Sequence, residues 1–342
     1  MQSGLPMAIA PKIEIPLIDF SPFLINDPVG KIQVAADIYH ACRDVGFLYL
    51  VHHGIPEGAI AAAFAQSQQF FALPLAEKQA IAWSSEVSNR GYIGLERERL
   101  DETQPGDLKE AFNLGREIDS AETATRAGFG NQLGTSIRPG IGEAALVQNR
   151  WPAQPAHFRA TLIDFFDTCA TAVASIFRAF ALALDMPEEF IVAHHTAQNY
   201  TLRLLHYPPL TISPKPGQTR AGAHSDYGTL TLLFQDDVGG LEVLSAQGDW
   251  IAAPAIPDAV LINTGDLTER WSNGVFRSTK HRVSLPQGEK AQRDRYSIAF
   301  FCEPNADALI GCLPTCQGPG HPPQYPPITA GDYLLSRLQA TY

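Results

Sequence analysis

The sequence predicts an α+β chain that is mainly β in its second half, with helices first and an antiparallel sandwich or barrel after them. Three observations carry this expectation. After Tyr200 the chain breaks into short β-prone runs ("TLRLLHYPP", "TLTLLF", "GLEVLS", "DWIAAP", "AVLINTG", "HRVSLP", "RYSIAFFCEP"). Turn residues separate these runs at a spacing of roughly ten, which suits antiparallel sheets. Before Tyr200 the longest patterned segments have helical periodicity. Finally, the 342 residues are 45% apolar and 18% charged, enough for a large core in one large domain or two medium ones.

The elements follow in order. "IPLIDFSPFL" reads as a short strand and a turn at Ser21-Pro22. Lys31 to Val45 has helical spacing, with Ile32, Ala35, Ala36, Ile38, Tyr39 and Cys42 on one side. "GFLYLVHHG" is a buried strand ending at Gly54, and the Ala-rich run Glu57 to Phe71 is a helix followed by "ALPLAEKQAI". Ser84 to Gly142 is rich in Gly and polar residues and is expected to be irregular. The clearest helix runs from Pro155 to Leu184, with apolar residues dense enough for packing on both sides. "ITAGDYLLSRLQATY" closes the chain as a helix started by Thr329 or Asp332. This divides the chain into a helical N-terminal region, 1–150, packed on a core of 151–342 that holds the long helix, the strands and the closing helix.

Charge narrows the function. A formal net charge of −11 argues against nucleic acid and against an anionic membrane surface. It leaves room for an anionic small ligand held by a local Arg or Lys. No run of about 18 apolar residues occurs, and "MQSGLPMAIAPKIEIPLIDF" lacks a basic segment followed by an apolar stretch of signal-peptide length. A cytoplasmic monomer or homodimer with a small-molecule substrate is expected. The five cysteines, Cys42, Cys169, Cys302, Cys312 and Cys316, form no zinc-like pair of pairs and are expected to be reduced thiols.

The chemistry concentrates in "AGAHSDYGTLTLLFQDD". His224 and Asp226 stand two apart at the mouth of a strand, so an imidazole and a carboxylate share a face. His281 follows fifty-five residues after Asp226, inside another β-prone run. Two histidines and one carboxylate form the facial triad that suits non-haem Fe(II) and leaves three positions open. Fourteen residues after His281, Arg295 and Ser297 share a strand face. A guanidinium beside a hydroxyl is a cradle for a carboxylate. A 2-oxo acid with a second carboxylate, such as 2-oxoglutarate, would fill two positions and reach that cradle, leaving one for O2. Singly, His224 reads as a turn residue, Arg295 as a surface residue and Ser297 as a strand hydroxyl. The joint spacing is what carries the iron site.

These segments resemble the isopenicillin N synthase-like family of Fe(II)- and 2-oxoglutarate-dependent oxygenases, from "IPLIDFSPFL" through "GFLYLVHHGIP", "FFALPLAEK", "NRGYIG" and "RLLHYPP" to "YSIAFFCEPN". The resemblance covers nearly the whole chain. It implies a distorted double-stranded β-helix, or jelly roll, with flanking N-terminal and inter-strand helices. It implies a dioxygenase with His224, Asp226 and His281 as iron ligands and Arg295, Ser297 and Tyr207 as 2-oxoglutarate anchors. One departure stands out. Many relatives carry Asn two residues before that Tyr, where it contacts the near carboxylate, and here the position is Leu205. Within the family, "DLKEAFNLGRE", "GDLTERWSN" and "RYSIAFFCEPN" are similar to the thymine 7-hydroxylases of fungi. That likeness implies a C–H hydroxylation and a pyrimidine pocket of Asn199, Arg203, Tyr227 and Phe301. Taken singly, Phe301 reads as core, Tyr227 as packing and Arg203 as the partner of an acid. Rival readings are fragmentation of 2-oxoglutarate to ethylene, an iron oxidase that uses no 2-oxoglutarate, and a non-catalytic ligand-binding module of the same fold.

Overall fold

The computed structural model describes residues 14–83, 89–117, 148–211 and 213–341. In chain order the strands are β1 (Leu17–Asp19), β2 (Phe47–Val51), β3 (Gly91–Ile93), β4 (Glu110–Gly115), β5 (Asn199–Tyr207), β6 (Ala221–His224), β7 (Leu230–Gln235), β8 (Leu241–Leu244), β9 (Trp250–Ala252), β10 (Ala259–Thr264), β11 (His281–Val283), β12 (Arg295–Glu303), β13 (Leu309–Ile310) and β14 (Ile328–Thr329). The helices are α1 (Ser21–Leu24), α2 (Pro28–Asp44), α3 (Glu57–Phe71), α4 (Leu75–Gln79), α5 (Phe158–Ala183), α6 (Glu189–Ala193), α7 (Asp266–Trp271) and α8 (Ala330–Thr341).

A major sheet has the order β1-β2-β10-β7-β12-β5-β4-β3, and a minor sheet has the order β6-β11-β8-β9. Successive side chains on a strand point to opposite faces, and in the major sheet that alternation makes two apolar layers. Leu202, Leu204, Leu232, Phe234, Ile262, Ile298 and Phe300 face outward into the larger core with the helices. Leu205, Tyr207, Leu261 and Ala299 face the minor sheet, where they meet Leu241, Val243 and Val283 in a second, smaller core. The expected sandwich is thus present, with the long helix packed on the outer face of its major sheet.

Helix α5 is the outer layer's main body. Thirteen of its 26 residues are buried, and Phe165 and Phe166 place their rings 5.4 and 5.2 Å from those of Phe234 and Phe300. The helix is long and apolar enough to cross a membrane by length and composition. Here its apolar stripe is matched to the sheet. Helix α2 begins three residues earlier than its apolar pattern suggests. Asp27 accepts a hydrogen bond from the Val29 amide and Pro28 occupies the first turn, a sequence-encoded start. It ends at Gly46, whose φ of +76° and whose approach to the Arg277 carbonyl leave no room for a side chain. Glu57–Phe71 is helical as expected. Ser21-Pro22 opens a single helical turn rather than a plain turn.

The stretch expected to be irregular contains β3 and β4, which extend the major sheet beyond β5; residues 84–88 and 118–147 lie outside the described residues. With β1 and β2, four strands before residue 150 join the major sheet. The run "EAFNLG" has weak β-propensity, yet every residue of it is buried. Pairing with β5 decides its conformation.

His195 ties this framework to the segment after Asp226. Its Nδ1–H donates to the Ile191 carbonyl at 2.8 Å, which leaves Nε2 to accept from the Thr229 hydroxyl at 2.9 Å. Its ring lies 4.2 Å from that of Phe177. Burial pushes the imidazole down to about 3 from an ordinary 6.5, so it stays neutral in the fold. Between those values the unfolded chain binds the extra proton. Stability present above about pH 6.5 is therefore lost progressively as pH falls toward about 3. We expect the urea midpoint to drop between about pH 7 and about pH 5, and His195→Gln to reduce that pH dependence while lowering the midpoint at neutral pH.

Candidate metal and ligand site

Among the described residues, His224, Asp226 and His281 offer one ligand atom each, and these lie within 4.8 Å of one another. Strand pairing produces the convergence. His281, the first residue of β11, sits directly opposite His224, the last of β6. Opposed residues of an antiparallel pair point to one face. The register slips between His281 and Val283, so that three residues of β6 span two of β11. That irregularity turns both Ala221 and His224 inward, although they are three apart, and is a common device beside active sites.

Asp226 lies just past β6, in a segment pinned from below. The Asp266 amide donates to the Asp226 carbonyl at 2.8 Å, and the Gly265 amide to the Thr229 carbonyl at 3.0 Å. A side chain at Gly265 would stand 2.3 Å from the Gly228 carbonyl. The Asp226 carboxylate is held asymmetrically. Its Oδ2 accepts from Thr231 Oγ1 at 2.6 Å and from Asn263 Nδ2 at 2.7 Å. Its Oδ1 faces the Nε2 atoms of His224 and His281 at 3.9 and 3.7 Å, too far for hydrogen bonds. Each Nδ1 must carry its proton, because it meets a carbonyl: Gly222 at 2.8 Å and Thr279 at 3.2 Å. Both Nε2 lone pairs therefore point inward, the arrangement in which backbone carbonyls orient metal-binding imidazoles. Burial, with His281 alongside, drives the His224 imidazole well below its ordinary value. Burial alone would raise Asp226, but His281, His224, Thr231 and Asn263 together hold its carboxyl below the usual range. Two imidazoles with Nε2 turned inward and one ionised carboxylate with a free oxygen fit a divalent iron.

A cavity of about 260 Å³ opens between the sheets at this cluster. Its wall is the inner face of the major sheet, and the register lays it out in rows. Arg295 pairs with Tyr207; Gln235, Ser297, Leu205 and Ala111 form the next row; Leu233, Ala299, Arg203 and Asn113 the third; Thr231, Phe301, Thr201 and Gly115 the fourth; Glu303 and Asn199 the last. The expected residues Arg295, Ser297, Tyr207, Asn199, Arg203, Tyr227 and Phe301 all line this one cavity.

Arg295 is 1% exposed. Its Nε donates to the Gly239 carbonyl at 2.8 Å and its Nη2 to Gln235 Oε1 at 2.9 Å. The guanidinium carbon lies 4.6 Å from the centre of the Tyr207 ring. These contacts fix the fork and leave Nη1 beside the Ser297 hydroxyl, 3.4 Å away. Toward the opposite end, Arg203 is ion-paired with Glu98, as the structural reading of that residue allowed. Lys109 bridges Glu98 and Asp107 at 3.3 and 3.0 Å. The guanidinium of Arg337 covers the Tyr227 ring at 4.9 Å, and Leu334, Leu335 and Leu338 of α8 also line the cavity.

The sequence does not single out Asn263, Thr231, Glu98, Lys109, Asn113 or Glu303. Asn263 and Thr231 sit opposite each other on adjacent strands, and strand alternation would have found them once the pairing was known. Glu98 comes from an irregular segment and carries no such signal.

Residues 15–135 match the family model for the non-haem dioxygenase in morphine synthesis N-terminal region, and residues 192–304 match the 2OG-Fe(II) oxygenase superfamily. The chain is 33% identical over 332 residues to a 2-oxoglutarate-Fe(II) type oxidoreductase of Emericella nidulans, covering 96% of this chain and 90% of that one. It is 32% identical over 342 residues to a homoarginine-6-hydroxylase of Oryza sativa, covering 96% and 97%. The solved structure of the Neurospora crassa thymine 7-hydroxylase with alpha-KG and thymine is similar at a TM-score of 0.82, with 36% identity over 96% of this chain and 97% of that one. A rice dioxygenase for auxin oxidation is similar at a TM-score of 0.70, with 25% identity over 96% of each chain. With this coverage, the chain belongs to the isopenicillin N synthase-like 2-oxoglutarate-Fe(II) oxygenases, and it is a dioxygenase that works with Fe(II), 2-oxoglutarate and O2.

Proposed function

We propose that this dioxygenase hydroxylates a C–H bond of a small planar molecule, a pyrimidine base such as thymine, bound over Phe301 within reach of Asn199, Arg203 and Tyr227. His224, Asp226 and His281 hold the iron, through the two Nε2 atoms and Asp226 Oδ1. Arg295 and Ser297 take the far carboxylate of 2-oxoglutarate, with Tyr207 behind the guanidinium. The observation that carries this reading is the asymmetric carboxylate of Asp226, one oxygen saturated by Thr231 and Asn263 and the other facing two inward lone pairs. Bound iron, with 2-oxoglutarate and O2, supplies the oxidising power for C–H hydroxylation.

The chain's own residues do the rest. Thr231 and Asn263 keep Asp226 ionised and fixed in direction. The carbonyls of Gly222 and Thr279 take the Nδ1 protons and so orient both rings with Nε2 inward. Phe47, Leu241 and Val283 line the cavity with apolar surface, which limits water beside the reacting carbon. The Phe301 ring offers a flat base an aromatic face. Asn199 supplies an amide able to donate and accept. Arg203, neutralised by Glu98, supplies fixed N–H donors without attracting an anion.

Four outcomes test this. Succinate formation by anaerobically iron-loaded protein, given O2 and 2-oxoglutarate, is expected to rise strongly with thymine or uracil derivatives in a panel of bases, nucleosides and amino acids. Iron-dependent turnover that this panel leaves unchanged removes the pyrimidine assignment. Arg295→Gln is expected to raise the KM for 2-oxoglutarate about tenfold or more, by loss of a charged partner, with iron uptake unchanged. Asp226→Ala is expected to abolish stoichiometric Fe(II) uptake. Asn263→Leu should weaken uptake by about 10- to 100-fold, as loss of an outer-shell partner does, measured by metal analysis after desalting.

A further inference from the structure

The cavity has a polar end that the residues named so far do not account for. Among the described residues, the buried side-chain atoms Arg90 Nε, Asn113 Oδ1 and Glu303 Oε2 there have no hydrogen-bond partner. All three residues line the cavity. Buried polar atoms without partners are uncommon in folded proteins, and three on one wall mark a surface built to meet something.

The geometry around them is specific. The Arg90 guanidinium lies across the inner face of Gly115, where an added Cβ would stand 1.9 Å from Nη2. Only glycine at 115 admits it. Arg90 Nη1 donates to the Asn89 carbonyl at 3.1 Å, and Asn113 Nδ2 donates to Asn89 Oδ1 at 2.8 Å. Asn89 thus orients both residues and leaves the Asn113 oxygen over. Glu303 stands in the neighbouring row, two residues after Phe301 on the same face of β12 and opposite Asn199. Arg90 and Glu303 feel each other's charge, yet no ion pair between them occurs among the described residues. A gap separates a donor from two acceptors, beside an aromatic ring.

We propose that Arg90, Asn113 and Glu303 form a specificity site for the amide or ureide edge of a planar substrate, its carbonyl on Arg90 and its N–H groups on Asn113 and Glu303. This deepens the pyrimidine reading and rests on it for the substrate's position over Phe301. A neutral edge with adjacent C=O and N–H groups matches the alternation of donor and acceptors. An amino-acid zwitterion would need an ionised Glu303 for its ammonium. Burial opposes that by pushing this carboxyl well above its ordinary value.

Calorimetric titration of anaerobic protein loaded with Fe(II) and 2-oxoglutarate tests the site, with thymine, N1,N3-dimethylthymine, hydantoin, 2-piperidone and L-proline as probes. The wild type is expected to bind thymine at least about tenfold more tightly than the dimethyl compound, since methylation leaves the acceptors unmet. Glu303→Leu and Gly115→Ala are expected to erase that difference, and Glu303→Gln to retain most of it. Unchanged affinity for 2-oxoglutarate in all three variants shows that the rest of the site is intact. Equal binding of thymine and its dimethyl form by the wild type overturns the proposal, as does discrimination that survives both disruptive variants. Binding of proline but of no cyclic amide or ureide also overturns it, and so does binding of none of the probes. If hydantoin or 2-piperidone binds with the same sensitivity to the variants while thymine does not, the pyrimidine reading falls and the amide-edge site stands.

Discussion

One buried carboxylate organises this protein. Removing an ionised group from water is costly unless other groups replace its hydration. For Asp226 the replacement is Thr231 from β7 and Asn263 from β10, both on Oδ2. Those donors can reach only because the strands carrying them are neighbours in the major sheet, with Asn263 opposite Thr231. The backbone around Asp226 is held in turn by the start of α7 and by Gly265. The cluster is therefore the place where the two sheets are locked in register. Its residual valence, one oxygen and two imidazole nitrogens, is what the fold leaves over for a metal.

The same register arranges the cavity by polarity. At one end stand Arg295, Ser297 and Tyr207, a charged cradle sized for a carboxylate. At the other stand Glu98, ion-paired with Arg203, and then Asn113, Arg90 and Glu303. Between them Leu233, Ala299 and Phe301 are apolar. The charged end and the amide-bearing end are thus separated by apolar surface, so the anionic co-substrate has a charged cradle of its own to meet. This is how an acidic chain of net charge −11 accommodates a dianion.

Much of this was legible in the sequence because it depends on short-range periodicity. Strand alternation paired His224 with Asp226 and Arg295 with Ser297, and the even spacing of β-prone runs after Tyr200 implied stacked antiparallel sheets. Helix α3 was readable to the residue, and α2 and α5 within a few. What was not legible depends on partners far along the chain. Strands β3 and β4 have weak local propensity and exist through pairing with β5. The slip in register that turns Ala221 and His224 to one face breaks the period-two rule that sequence reading uses. Glu98 reaches Arg203 across 105 residues, from a segment with no pattern. Leu205, which removes an expected polar contact from the near carboxylate of 2-oxoglutarate, could be seen in the sequence; that its row holds Ser297 and Gln235 could not.

The division of labour between the two faces of the major sheet bears on how such a chain can diverge. Outward-facing residues such as Leu202, Leu204, Ile298 and Phe300 carry the packing against α5. Inward-facing ones at 201, 203, 299, 301 and 303 line the cavity. The two sets alternate along the same strands, yet they touch different neighbours. Substitutions on the two faces therefore meet different partners, although Ala299 on the inner face also belongs to the smaller core. A lineage can then reshape the cavity wall by single substitutions at odd-numbered positions of β5 and β12, while the even-numbered ones hold α5 in place. Change on the cavity face is in this way largely separated from the packing against α5.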